Sequence, residues 1–186
     1  MDRLLVGVSG SIAVLNLPTY LTTLRATFAE EVRVIMTPAA TSILPASTVA
    51  LVSDGVFVDA GLMVEKKPGH VELARWADMF VVLPASADLL GQAANGLVPN
   101  LLTTAIMASP TPVVFCPNTN ALMWQKQAVQ RNVATLRRDG HIVVEPEVAL
   151  AYEIETGQMR ENLVLPEPER LVHRLGEIYD SACFSG

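Results

Sequence analysis

Apolar residues in this chain gather in short unbroken blocks rather than in alternation: Leu4-Leu5-Val6, Met79-Phe80-Val81-Val82-Leu83 and Pro112-Val113-Val114-Phe115-Cys116. Blocks of this length, rich in β-branched and aromatic residues, predict strands of a parallel sheet buried on both faces. The expected strands are Arg3–Val8 (the first and central one), Glu31–Met36, the two later blocks, and residues 141–144. Helices are expected from Ser9 to about Phe28 and over 41–51, 71–76, 86–95, 100–108, 126–138 and Pro168–Asp180. Pro18 kinks or restarts the first, since an interior proline removes an amide donor. Gly96 and Pro99 break the run between two others, and Asp139-Gly140 is a good carboxyl-terminal stop. Residues 56–67 form the least regular stretch, bounded by Asp54-Gly55 and Pro68-Gly69, and suit a mobile or subunit-bridging segment. Residues 152–159 alternate around Gly157, as a two-stranded flap would. The whole of 1–186 is therefore expected to be one α/β domain, with a disordered tail at 181–186.

Composition narrows the partners. The chain is 51% apolar and only 17% charged, below the roughly 25% charged residues usual in soluble domains. No apolar run is long enough to span a membrane, so the surplus apolar surface points to contacts between subunits. The amino terminus enters a strand without the layout of a signal peptide, which suits the cytoplasm. A net charge of −6 disfavours nucleic acid, which needs a clustered basic surface. Cys116 and Cys183 are the only cysteines; they make neither a metal site nor a disulfide framework, and two reduced thiols are expected.

Candidate chemistry falls where strands end, the usual place for ligands in an open parallel sheet. After the first strand, Ser9-Gly10-Ser11 offers hydroxyls, a glycine and helix amides that suit a phosphate, although the same residues also make a plain N-cap. Thr37 is equally an N-cap or a second hydroxyl at that edge. Two further small-polar segments end apolar blocks: Leu83-Pro84-Ala85-Ser86-Ala87-Asp88 and Pro117-Asn118-Thr119-Asn120-Ala121-Leu122-Met123-Trp124. Two such loops, joined by helical sequence, suggest one shared site. His70 opens a short helix and is read either as a cap or surface residue or as an acid–base group. His141 and His173 are read as structural.

The same segments resemble the homo-oligomeric flavin-containing cysteine decarboxylases. Pro84-Ala85-Ser86-Ala87-Asp88 is similar to their Pro-Ala-Ser-Ala-Asn-Thr signature, and Pro117–Trp124 to their Pro-x-Met-Asn-x-x-Met-Trp signature. Gly10-Ser11-Ile12, Asn95-Gly96 and Asn100-Leu101-Leu102-Thr103-Thr104-Ala105 match at compatible spacing. The similarity is greatest to the branch acting on a carboxyl-terminal cysteine in lanthipeptide-like pathways. Two positions depart from the pattern: Asp88-Leu89 replaces Asn-Thr, and Thr119 replaces Met.

The resemblance implies a Rossmann-like (flavodoxin-like) parallel sheet with helices on both faces and a small β-flap clamp at 150–162. It implies FMN rather than FAD, held by Ser9, Gly10, Ser11, Thr37, Pro84, Ala85, Ser86, Asp88 and Thr104, and no metal. It assigns His70 as base or thiolate partner and Asn120 as anchor of the substrate carboxylate, with Met123, Ile154 and Met159 against the peptide. The partner would be a precursor peptide ending in cysteine, and the assembly a trimer or a dodecamer. Asp88 accepts hydrogen bonds where asparagine would also donate, so Asp88→Asn is expected to bind FMN at least as tightly. The related phosphopantothenoylcysteine decarboxylases return the hydride through a clamp cysteine, and residues 150–160 contain none. That coenzyme A pathway activity and a non-catalytic regulatory flavoprotein are the alternatives to an oxidative decarboxylase.

Overall fold

The computed structural model describes residues 1–59, 69–153 and 157–181. β1 (Arg3–Val8) leads through a 3-10 turn at Ile12–Asn16 into α1 (Leu17–Thr27). Next come β2 (Glu31–Met36), α2 (Pro38–Ile43), α3 (Ala46–Val49) and β3 (Gly55–Val58). α4 (His70–Trp76), β4 (Met79–Ala85), α5 (Ala87–Ala94) and α6 (Leu101–Met107) follow. β5 (Val113–Pro117), α7 (Ala121–Trp124), α8 (Gln127–Arg138) and β6 (Ile142–Val143) complete the sheet. A hairpin, β7 (Glu147–Glu153) and β8 (Gln158–Val164), precedes α9 (Pro168–Asp180).

The six sheet strands are parallel in the order β3-β2-β1-β4-β5-β6, the Rossmann order. Alternate residues of each strand face opposite layers. Leu4, Val6 and Val8 join Met79, Val81 and Leu83 under α1 and α9, where Leu21, Leu24, Leu171 and Leu175 are buried. Leu5, Phe80, Val82 and Phe115 face the other layer, with Leu73, Leu90, Leu102 and Leu136 from α4, α5, α6 and α8. Both faces are covered, which is why the strands are apolar without alternation.

Three local expectations change. The helix expected over 41–51 is two short ones, because Pro38 starts α2 and Pro45 separates α2 from α3. The irregular stretch 56–67 begins inside β3, a four-residue edge strand that among the described residues pairs only with β2; so short and half-exposed a strand carries little apolar signal. Its residues 60–67 lie outside the described residues. Pro18 restarts the first helix, standing in the opening turn of α1 after the 3-10 turn. A proline there loses no helical hydrogen bond.

The hairpin stands apart from the main sheet and would be marginal alone. Its root is tied to α9, where Arg170 Nη1 and Arg174 Nη2 donate to the two carboxylate oxygens of Glu147, each at 2.7 Å. Ser181 caps α9; residues 182–186 of the expected tail lie outside the described residues.

Candidate functional site

The strand order reverses between β1 and β4, and the carboxyl ends of these two strands are locked together by one buried hydroxyl. Ser9 Oγ donates to the Pro84 carbonyl at 2.8 Å and accepts from the Ser86 amide at 2.8 Å, while the Ser9 amide donates to the same carbonyl at 3.2 Å. The Leu83–Pro84 peptide is cis. Ser9 is only 2% exposed, so its hydroxyl sets the spacing of the crevice floor.

Around that floor five helices begin. Ser11 caps the 3-10 turn, Thr37 caps α2, Ser86 caps α5, Asn100 caps α6 and Asn120 caps α7. The cap oxygens accept from Ala13, Ala40, Leu89, Thr103 and Leu122 amides. These are local patterns that Ser, Thr and Asn favour at helix starts. All five caps line one cavity of about 590 Å³, a size suited to a small molecule or cofactor. Among the described lining residues Asp88 is the only ionisable side chain. Helix amino termini carry partial positive charge, and an anion is stabilised there without lysine or arginine.

Gly10 lies in this wall for a packing reason. A Cβ built on it would stand 2.5 Å from the Ala39 Cβ, so the first loop and the start of α2 approach only over a glycine. Ser11 Oγ also donates to Asn118 Oδ1, joining the first loop to the loop after β5.

The other side of the cavity differs. Gln92 Oε1 and Thr119 Oγ1 are buried and have no hydrogen-bond partner among the described residues. The Asn120 side chain accepts from Leu122 at 2.8 Å, and its two amide hydrogens have no partner among the described residues. Unsatisfied buried polar atoms are costly. Two of them on one wall therefore fit a polar ligand, and a flavin mononucleotide offers both an anionic end and a ring with donors and acceptors.

The structure brings Ser9, Gly10, Ser11, Thr37, Ser86, Asp88, Asn120 and Met123 to this wall. Pro84 and Ala85 lie behind it, buried in β4. Thr104 also stands off the wall, its hydroxyl donating to the Asn100 carbonyl at 2.8 Å. Met159 is an exposed residue of the hairpin, outside the wall, and Ile154 lies outside the described residues. His70 is half-buried at the start of α4, away from the wall. Because α4 runs back towards the start of β4, it begins on the side of the sheet's carboxyl edge.

Sequence reasoning missed Gln92, Asn100, Asn118, Thr119 and the hairpin's Asn162, Leu163 and Val164 as wall residues. Gln92 was recoverable from its spacing one helical turn after Asp88, to which it donates at 2.8 Å. Asn118 and Thr119 sit inside a singled-out segment. Cys116, at the end of β5, is buried, which pushes its thiol up to about 12 against a small opposing effect of Arg174. It is thus a neutral packing residue. Among the described residues no group of His, Cys, Asp and Glu could hold a metal ion, and no helix is long and apolar enough to cross a membrane.

Residues 1–165 match the family model described as Flavoprotein. Mersacidin decarboxylase of Bacillus sp. (strain HIL-Y85/54728) is 43% identical over 168 residues, 90% of this chain and 86% of that protein. MrsD from the same strain superposes with a TM-score of 0.81 at 40% identity over 95% of both chains. The FMN-dependent cysteine decarboxylase SpaF gives 0.77 at 34% identity, covering 95% of this chain and 97% of that one. A variant of EpiD complexed with the substrate peptide DSYTC gives 0.84 at 25% identity, covering 92% and 97%. The chain also matches the coenzyme A biosynthesis bifunctional protein CoaBC of Vibrio parahaemolyticus at 34% identity, spanning 45% of that protein's length.

Proposed function

Because this chain belongs to the flavoprotein family, we propose that it is an FMN-dependent decarboxylase that acts oxidatively on the carboxyl-terminal cysteine of a precursor peptide and leaves a peptidyl aminoenethiol. One observation carries the reading: a single cavity joins five helix amino termini, suited to a phosphate, to the free amide of Asn120. Support for the substrate class comes from the peptide held by EpiD, which ends in cysteine, and from the similarity to mersacidin decarboxylase.

Losing carbon dioxide from an ordinary cysteine would leave an unstabilised carbanion on Cα. A C=S bond at the neighbouring carbon accepts that electron pair, so oxidising the cysteine first opens the route. The flavin, when bound, supplies the hydride acceptor for that oxidation. Ser11, Thr37 and Ser86 would hold its phosphate through the helix starts they cap, and Asp88, Gln92 and Thr119 would line the rest. Asn120 holds the substrate carboxylate with neutral amide donors, without an ion pair that would resist its departure. His70 takes the thiol proton, a role an imidazole fills near neutral pH. Since His70 stands off its own chain's cavity, it serves the cavity of a neighbouring copy, in a trimer or a dodecamer built from trimers. β8 closes over the peptide and excludes water. We assign the enzyme to the cytoplasm.

Mass spectrometry of a peptide ending in cysteine tests the reaction. The expected product is lighter by carbon dioxide plus two hydrogens, and amidating the peptide's carboxyl terminus abolishes turnover. His70→Asn abolishes it too, with flavin retained. Loss of carbon dioxide alone would mean that the hydride returns to the product and would move the assignment to a phosphopantothenoylcysteine type of activity. Absence of turnover with every cysteine-terminated peptide would favour a non-catalytic flavoprotein. An active monomer by light scattering would remove the shared-site role of His70.

A further inference from the structure

Gln92 occupies an unusual position on the cavity wall. Its amide nitrogen donates to Asp88 Oδ2 at 2.8 Å, whereas its carbonyl oxygen is buried and lacks a partner among the described residues. The orientation is not arbitrary. An ionised carboxylate only accepts, so Asp88 draws the NH2 group of Gln92 towards itself and leaves Oε1 as the atom turned away. Asparagine at position 88 would impose no such choice, because one amide can pair with another either way round.

The unpaired atom therefore has a defined requirement: it accepts and cannot donate, and it is already desolvated. Its ligand must bring an N–H or O–H group to that place. Gln92 lies six residues beyond the Ser86 cap, about 9 Å along the helix at 1.5 Å per residue. That displacement separates it from the phosphate-suited helix starts and sets it at ring distance from them. An oxidised isoalloxazine ring carries one N–H donor, its imide.

We propose that Gln92 contacts the flavin through Oε1, which accepts a hydrogen bond from the ring imide N–H, and that Asp88 is the positioning residue that turns Gln92 for this contact. The inference rests on the reading that a flavin occupies this cavity. It reverses the expectation for Asp88→Asn: freeing the Gln92 amide weakens selection for the imide rather than strengthening FMN binding.

The test is a fluorescence titration of the flavin-stripped full chain with FMN and with 3-methyl-FMN, whose imide nitrogen has no hydrogen. The wild-type chain should prefer FMN by roughly tenfold or more, the cost of leaving a buried acceptor unpaired. Gln92→Leu, shown to be folded by circular dichroism, should bind both flavins alike, and Asp88→Asn should show a reduced preference. Equal affinity of the wild-type chain for the two flavins overturns the proposal, as does a preference that survives intact in Gln92→Leu. A Gln92→Leu chain with unchanged flavin preference but a raised KM for the peptide would assign Oε1 to a peptide N–H, and also overturns it. Failure to bind FMN at all would instead refute the flavoprotein reading of the cavity.

Discussion

The two walls of the cavity are both polar but are built on opposite terms. On the side formed by the loops after β1 and β2 and the start of α5, the hydroxyls of Ser9, Ser11, Thr37 and Ser86 are each engaged within the protein. On the side formed by the body of α5 and the loop after β5, Gln92 Oε1 and Thr119 Oγ1 are buried without a partner among the described residues, and Asn120 turns its amide hydrogens to solvent. The first wall holds its shape without a ligand and offers backbone amides. The second is complete only with something bound. Polar residues at a site thus divide into those that make the cavity and those that use it, and residue type alone does not separate them.

The largest effect should come from Asn120→Asp. Aspartate is as good a cap as asparagine, so the start of α7 and the thermal midpoint should be nearly unchanged. If Asn120 has the proposed role, turnover should fall by about 10²-fold or more, because the donor is replaced by a charge facing the substrate carboxylate. A comparable loss of stability would place Asn120 among the shape-holding residues.

Ser9→Ala should act the other way. It removes the acceptor of the Ser86 amide and the hydroxyl linking β1 to β4, and should cost roughly 1–3 kcal/mol by denaturant titration, with flavin present or absent. Thr119→Val should leave the stability of the flavin-free chain within about 0.5 kcal/mol or raise it, since the hydroxyl it removes has no partner, while weakening binding of ligand. If Ser9→Ala were neutral and Thr119→Val destabilising, the contrast between the walls would be lost.

The smallest effect concerns His141, at the amino-terminal edge of the sheet and the far end of β5 from the cavity. Burial holds its imidazole below the ordinary 6.5, against the opposing charge of Asp139, and its Nδ1 accepts from the Val113 amide at 3.1 Å. The unfolded chain takes up the proton more readily. The contribution is therefore fully present above pH 6.5 and is lost as pH falls below that value. The denaturation midpoint should decline on acidification, and His141→Gln, which keeps an acceptor without a titratable ring, should flatten that decline.

How legible the molecule was depended on the range of each interaction. The apolar blocks announced β1, β2, β4 and β5, and Gly140, at φ +91°, ended α8 where glycine permits such a turn. β3 was hidden, because an edge strand of four residues needs only one neighbour and little apolar length. The loops after β4 and β5 stood out as site material, yet Gln92 did not, although its four-residue spacing from Asp88 was visible. Nothing local revealed that the far side of its amide would be desolvated.

From the sequence alone came most of what depends on neighbours within one helical turn or one strand. That includes the buried strands, the reading of Ser11 and Thr37 as caps, and the motifs that carry the family resemblance. Tertiary structure decided the rest. It brought Ser11 to Asn118 across 107 positions of chain and gathered five separate caps around one cavity. It moved Thr104 off the wall and laid Asn162 and Leu163 of β8 along it. The reason is that desolvation and hydrogen-bond satisfaction belong to a place rather than to a residue. Whether a polar atom is met or left wanting is settled only when distant segments pack around it.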